Sequence, residues 1–113
     1  MSTPWDLADF DAHEAIEFVT DERSGLRAII AIHSTHLGPA AGGARFWHYV
    51  EDDHALVDAL RLSRGMSYKN AMAGLPLGGG KSVILAKPDM SRSPEMLHAF
   101  GQAVDELGGR YIT

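Results

Sequence analysis

Apolar positions along the chain change period several times, and each change marks an element. From Glu14, AIEFVT and LRAIIAIHS read as two strands, and the polar break DERSG between them contains Gly25 to turn the chain, so a hairpin is predicted. After Glu51 the period becomes helical. Leu56, Ala59, Leu60, Ser63 and Met66 recur on one side, and Glu51, Asp52 and Asp53 put negative charge where a helix N-terminus favours it. This helix is predicted over about residues 52–73, ended by Gly74 and Pro76. SVILA is aliphatic and β-branched and reads as a buried strand; the glycine tract before it reads as a loop, which puts Lys81 where a loop enters a strand. Ser93 and Pro94 form a helix start, as cap and first helical residue. Met96, Leu97, Phe100, Val104 and Leu107 then make one apolar stripe, Gly108 and Gly109 stop it, and RYIT opens a further strand.

Two segments carry weaker patterns. GPAAGGA, residues 38–44, has almost no side-chain volume and reads as a loop that lets backbone approach something closely, with RFWHYV after it as a short extended piece. The opening MSTPWDLADFDA fits either a short helix or an ordered arm carrying Trp5, Leu7 and Phe10. Strands alternating with helices after a hairpin predict an α/β fold, with helices layered on a partly parallel mixed sheet. At 113 residues the whole chain, 1–113, reads as a single domain.

Composition narrows the partners. Cysteine is absent, which excludes disulfides and thiolate metal sites, and the N-terminus lacks the basic-then-apolar pattern of a signal peptide, so a cytoplasmic location is expected. No apolar run approaches the roughly 20 residues of a spanning helix. A net charge of -5 argues against a nucleic-acid or anionic-membrane surface and in favour of a small molecule or another protein as partner. His33 and His36, three apart in a strand-to-loop region, fall on opposite faces with no carboxylate neighbour, and read as partly exposed polar residues rather than metal ligands; no metal site is expected. Arg61 and Arg64 on the long helix read as solvated or ion-paired, and Arg45 stands alone beside the glycine loop.

GLPLGGGKSVIL, residues 74–85, looks like a nucleotide loop and is not one. A P-loop needs a glycine five residues before its Gly-Lys-Ser, and that position is Leu75. A P-loop also runs from a strand into a helix, whereas here a helix precedes and a strand follows. GPAAGG and GLPLGGG equally lack the dinucleotide fingerprint. The lysines offer a different chemistry. Lys69 closes a helix and Lys81 follows a tract of glycines, so a turn over Gly74–Gly80 brings both amines over one cleft with no acidic neighbour in sequence. That arrangement suits an anionic ligand. Two ammonium groups about 6 Å apart repel by roughly 2.8 kcal/mol at an effective dielectric near 20, which one amine relieves by giving up its proton and becoming a base. The plainer reading makes Lys69 a complement to its helix C-terminus and Lys81 a solvated lysine.

GPAAGGARFW, ALRLSRGMSYKNAMAGLPLGGGKSVIL and GGRYIT, in this order and spacing, resemble the N-terminal, substrate-binding and dimerisation domain of the glutamate/leucine/phenylalanine/valine dehydrogenases, closest to the leucine, valine and phenylalanine branch. The resemblance covers about residues 14–113. It implies oxidative deamination of an L-amino acid to a 2-oxo acid and ammonia, with NAD as cofactor and a homo-oligomeric assembly. Lys69 would bind the substrate carboxylate, with Asn70 supporting it. Lys81 would be the catalytic lysine that activates water and polarises the carbonyl oxygen. Gly42, Gly43 and Met66 would line the substrate pocket. Ala41 stands where glutamate-specific members carry a lysine, which implies an apolar amino acid.

The family's catalytic aspartate would fall just after YIT, and its dinucleotide-binding domain beyond Thr113, so this chain is expected not to transfer hydride by itself. A non-catalytic association or amino-acid-binding module derived from the same family is the alternative.

Overall fold

The computed structural model describes residues 3–88 and 90–113. The chain runs through strands β1 (Ala15–Asp21), β2 (Leu26–Ser34), β3 (Ala40–Ala41) and β4 (Ala44–Trp47), then helix α1 (Asp52–Met72), strand β5 (Gly78–Leu85), helix α2 (Pro94–Asp105) and strand β6 (Tyr111–Ile112). The N-terminal segment is an arm that holds a single 3-10 turn, Pro4–Asp6. All six strands form one mixed sheet in the order β1-β2-β5-β3-β6, with β4 also paired to β5. The pairs β1/β2 and β2/β5 are antiparallel, whereas β3 and β4 run parallel to β5 and β3 parallel to β6. This is the partly parallel α/β sheet that the alternation of elements predicts.

The hairpin turns where Gly25 adopts φ +78 and the Asp21 carboxylate accepts from the Ser24 hydroxyl at 2.6 Å. β2 is buried on both faces, which explains its uninterrupted apolar run. On one face Ile29 and Ala31 join Val83, Ala55 and Ala59 under α1. On the other, Ile30, Ile32 and Ile84 join Met96, Phe100 and Tyr111 under α2.

α1 begins with Asp52 and Asp53 in its first turn and has Lys69 in its last, both favourable to the helix dipole. It ends one residue earlier than predicted, where Gly74 takes φ +71. At α2 the Ser93 hydroxyl accepts from the Met96 amide at 3.1 Å, with Pro94 opening the helix as predicted. No helix among the described residues is long and apolar enough to cross a membrane.

Three expectations need correction. The glycine tract is not a loop: Gly78, Gly79 and Gly80 are the first three residues of β5, so Lys81 sits inside the strand. Glycine is tolerated there because the neighbours come too close for any side chain, as detailed below. The loop at 38–44 contains β3, because Ala40 and Ala41 pair with Gly78 and Gly79. Leu97 lies outside the buried stripe at 48% exposure; Met96 and Phe100 face the sheet, and one residue along a helix rotates the side chain by about 100°.

Candidate active site

β3 and β4 lie along the same side of β5 in one continuous register, Ala40 opposite Gly78 and Ala44 opposite Ser82. Gly42 and Gly43, the break between the two strands, therefore stand across from Gly80 and Lys81. Backbone lies close against backbone there. A Cβ on Gly42 would lie 1.7 Å from the Gly80 carbonyl oxygen and 3.2 Å from the Met66 Cγ. A Cβ on Gly43 would meet only the Lys81 Nζ, at 3.4 Å. The structure thus brings Gly42, Gly43, Met66 and Lys81 together.

Side chains alternate along β5, and this fixes where Lys81 points. A Cβ on Gly79 would strike the Ser67 backbone nitrogen of α1 at 2.1 Å, while Val83 packs on Ala55 and Ala59 of the same helix. Lys81, between them, is on the α1 face. Gly78 and Gly80 face the other way, where a Cβ on Gly80 would reach the Tyr111 ring at 2.7 Å. The glycines let α1 and Tyr111 close on opposite faces of one strand.

Ala41 is opposite Gly79 in the parallel pair and so shares the α1 face. Asn70 is buried, and its side-chain amide donates to the Gly78 carbonyl at 2.8 Å and to the Ala41 carbonyl at 3.3 Å. It fastens the end of α1 to both strands beside Lys69. Lys69 itself is exposed, three positions after Met66, which on a helix places their Cβ atoms about 5–6 Å apart.

Charge separates these two lysines from the arginines of β4 and α1. Arg45 pairs with Asp58 at 3.4 Å, Arg61 with Asp58 at 3.1 Å and Arg64 with Asp11 at 3.3 Å. Neither Lys69 nor Lys81 has a carboxylate within 4.0 Å among the described residues. An anion is the ligand such a face attracts.

Sequence reasoning missed two groups around this floor. Tyr111 and Ser82, both buried, bind each other through their hydroxyls at 2.7 Å, and the Tyr111 hydroxyl also donates towards the carbonyls of Gly42 and Gly43 at 3.2 and 3.3 Å. Burial, the dominant effect, pushes the Tyr111 phenol up from its ordinary range, so it remains a neutral donor. His33 was expected to lack a carboxylate neighbour. It has one: its Nε2 meets Asp11 at 2.9 Å and its Nδ1 meets the Ser67 hydroxyl at 2.6 Å, tying the N-terminal arm to α1. Asp11 is 22 residues away in sequence, so no local pattern announces the pair. His36 is exposed, and among the described residues no group of three metal-ligating side chains gathers.

This α/β domain sets an amine, unpaired among the described residues, over a floor of bare backbone, with methionine and alanine beside it, an arrangement whose charge and shape suit a small, partly apolar anion. The particular family follows from comparison. Residues 12–113 match the model of the Glu/Leu/Phe/Val dehydrogenase dimerisation domain, and the chain belongs to that family. It is 56% identical over 106 residues to a valine dehydrogenase of Streptomyces virginiae, covering 94% of this chain and 30% of the relative. With a leucine dehydrogenase of Bacillus subtilis it shares 57% identity over 101 residues, covering 89% of this chain and 28% of the relative. The crystal structure of L-tryptophan dehydrogenase from Nostoc punctiforme superposes with a TM-score of 0.86 at 50% identity, over 90% of this chain and 30% of that one. The chain therefore spans about 30% of the length of these relatives.

Proposed function

We propose that this chain is the substrate-binding part of an NAD-dependent oxidoreductase that converts an apolar L-amino acid of the leucine, valine or phenylalanine type, with water, into a 2-oxo acid and ammonia. The observation that carries the reading is the convergence of Lys81, Gly43, Gly42 and Met66, with no carboxylate near the amine among the described residues. Lys69 holds the substrate carboxylate. Lys81 takes the proton from the attacking water and then donates a hydrogen bond to the developing carbonyl oxygen. Gly42 and Gly43 admit the substrate close to that amine, and Met66 and Ala41 form its apolar surroundings. A substrate side-chain carboxylate finds no cation at Ala41, which favours apolar amino acids over glutamate.

NAD, the proposed hydride acceptor, finds no cradle in the glycine tract. The glycine tract is closed on both faces, by Ser67 at Gly79 and by Tyr111 at Gly80. Its binding belongs to other parts of the protein, and so does the hydride step. The match to a dimerisation domain and the exposed Phe18 on the edge strand β1, at 61%, support a homo-oligomer.

The test uses the full-length gene product with valine, leucine, phenylalanine and glutamate as substrates. Lys81→Ala is expected to lower kcat by about 10²–10⁴-fold, the usual contribution of a general base. Lys69→Ala is expected mainly to raise KM, by roughly 10–100-fold for a charge-assisted contact of about 1.5–3 kcal/mol. Equal losses of kcat with unchanged KM in both variants overturn this division of roles.

A further inference from the structure

The floor under Lys81 is held from behind. β6 bonds to the loop at both ends, the Ala40 amide donating to the Arg110 carbonyl at 2.7 Å and the Gly42 amide to the Ile112 carbonyl at 3.1 Å. Between those bonds the Tyr111 ring lies on Gly80, on the sheet face opposite Lys81, and its hydroxyl reaches through to the Gly42 and Gly43 carbonyls. Ser82 grips Gly43 twice: its backbone amide donates to the Gly43 carbonyl at 3.1 Å, and its hydroxyl donates at 2.7 Å to the tyrosine oxygen that serves the same carbonyl. Among the described residues no buried side-chain polar atom lacks a partner, so this chain of hydroxyls is complete. None of these hydroxyls bonds to the Lys81 amine; they bear on it through the backbone of Gly43 and of the strand residues that flank the lysine, Gly80 and Ser82.

We infer that Tyr111 and Ser82 are positioning residues, which fix the Gly42 and Gly43 backbone and so set the gap between the Lys81 amine and the reacting carbon of the substrate. The inference rests on the proposed role of Lys81. Catalysis is sensitive to small displacements of this kind, because the reacting groups must be held at near-attack distance. Tyr111→Phe keeps the ring on Gly80 and removes only the hydroxyl. The two carbonyls then lose a shared donor and Ser82 its acceptor.

The experiment measures kcat, KM and Tm in the full-length gene product for Tyr111→Phe, Ser82→Ala, the pair together, Phe100→Leu and Lys81→Ala. Phe100 is buried in the same core as Tyr111 and has no part in the site, so it reports destabilisation alone. Tyr111→Phe is expected to lower kcat/KM at least about tenfold, equivalent to one lost hydrogen bond. The double variant is expected to be no worse than the poorer single by more than about twofold, because the two hydroxyls act as one unit. Phe100→Leu, with a comparable loss of Tm, is expected to keep kcat/KM within about twofold of wild type. A Tyr111→Phe protein with unchanged kcat/KM overturns the inference, as does an equal kinetic loss in Phe100→Leu. If Tyr111→Phe does not fold, Ser82→Ala decides by the same criterion. Turnover surviving in Lys81→Ala refutes instead the reading on which the inference rests.

Discussion

Gly42→Ala and Gly43→Ala, neighbouring substitutions of one hydrogen by one methyl, are expected to fail in different ways. A methyl on Gly42 falls 1.7 Å from the Gly80 carbonyl oxygen, whereas carbon and oxygen keep at least about 3.3 Å even in a C–H···O contact. The obstacle is backbone in the central strand and cannot rotate away, so the loop must lift off β5. Lifting breaks the Gly42 amide bond to Ile112, the Tyr111 bond to the glycine carbonyls and the Ser82 amide bond to Gly43. At about 1 kcal/mol each, these amount to roughly 3 kcal/mol. A domain of this size has an unfolding entropy near 0.24 kcal/mol/K, so Tm is expected to fall by about 12 °C.

A methyl on Gly43 meets only the end of a flexible lysine, at 3.4 Å. Its cost is expected to stay below about 1 kcal/mol, or about 4 °C. It nevertheless occupies the space beside the Lys81 amine, so kcat/KM is expected to drop while the fold persists. Thermal melts by circular dichroism on both variants, with steady-state kinetics on the full-length gene product, make the comparison. A Gly42→Ala protein that melts within about 3 °C of wild type refutes the reasoning, as does a Gly43→Ala protein that melts as low as Gly42→Ala.

Two further predictions concern the rest of the chain. Gly101 lies inside α2, where an added Cβ meets nothing within 4 Å, so Gly101→Ala is expected to stabilise by about 0.8–1 kcal/mol; an unchanged or lower Tm contradicts this. His13 is buried, its Nδ1 accepting from the Asp11 amide at 3.0 Å and its Nε2 donating to the Leu60 carbonyl at 2.8 Å, which defines a neutral ring with no room for a second proton. Burial, the largest effect, pushes its pKa below the ordinary histidine value. The unfolded chain then binds the proton more readily, so stability is complete above about pH 6.5 and falls as pH drops below it. Urea midpoints are expected to decline from about pH 7.5 to 5.5 in wild type and to flatten in His13→Gln; parallel slopes count against the assignment.

What the sequence made legible was local. The hairpin, α1 and α2 follow from periodicity, caps and a left-handed glycine, all of which act within a few residues. The glycine tract was misread because glycine inside a strand has no local cause. Its causes are the Ser34 carbonyl against Gly78, the α1 backbone against Gly79 and the Tyr111 ring against Gly80. All three approach from distant parts of the chain. The same distance hid Asp11 from His33 and Ser82 from Tyr111.

The lysine pair could be singled out because charge leaves a trace in sequence: these two amines have no acid nearby along the chain, whereas every other lysine and arginine has one within six positions. Their setting left no such trace. GPAAGGA reads as a loop by every compositional rule, yet in the fold it belongs to a line of strand that keeps one register with β5 from Ala40 to Trp47. The line is interrupted only at Gly42 and Gly43. A side chain at Gly42 would press into the Gly80 carbonyl, and one at Gly43 would stand against the Lys81 amine. The bare backbone at Gly42 and Gly43 thus leaves the space beside the lysine unfilled, and the residues that bond to that backbone, Tyr111 and Ser82, make their contacts only once the sheet is assembled.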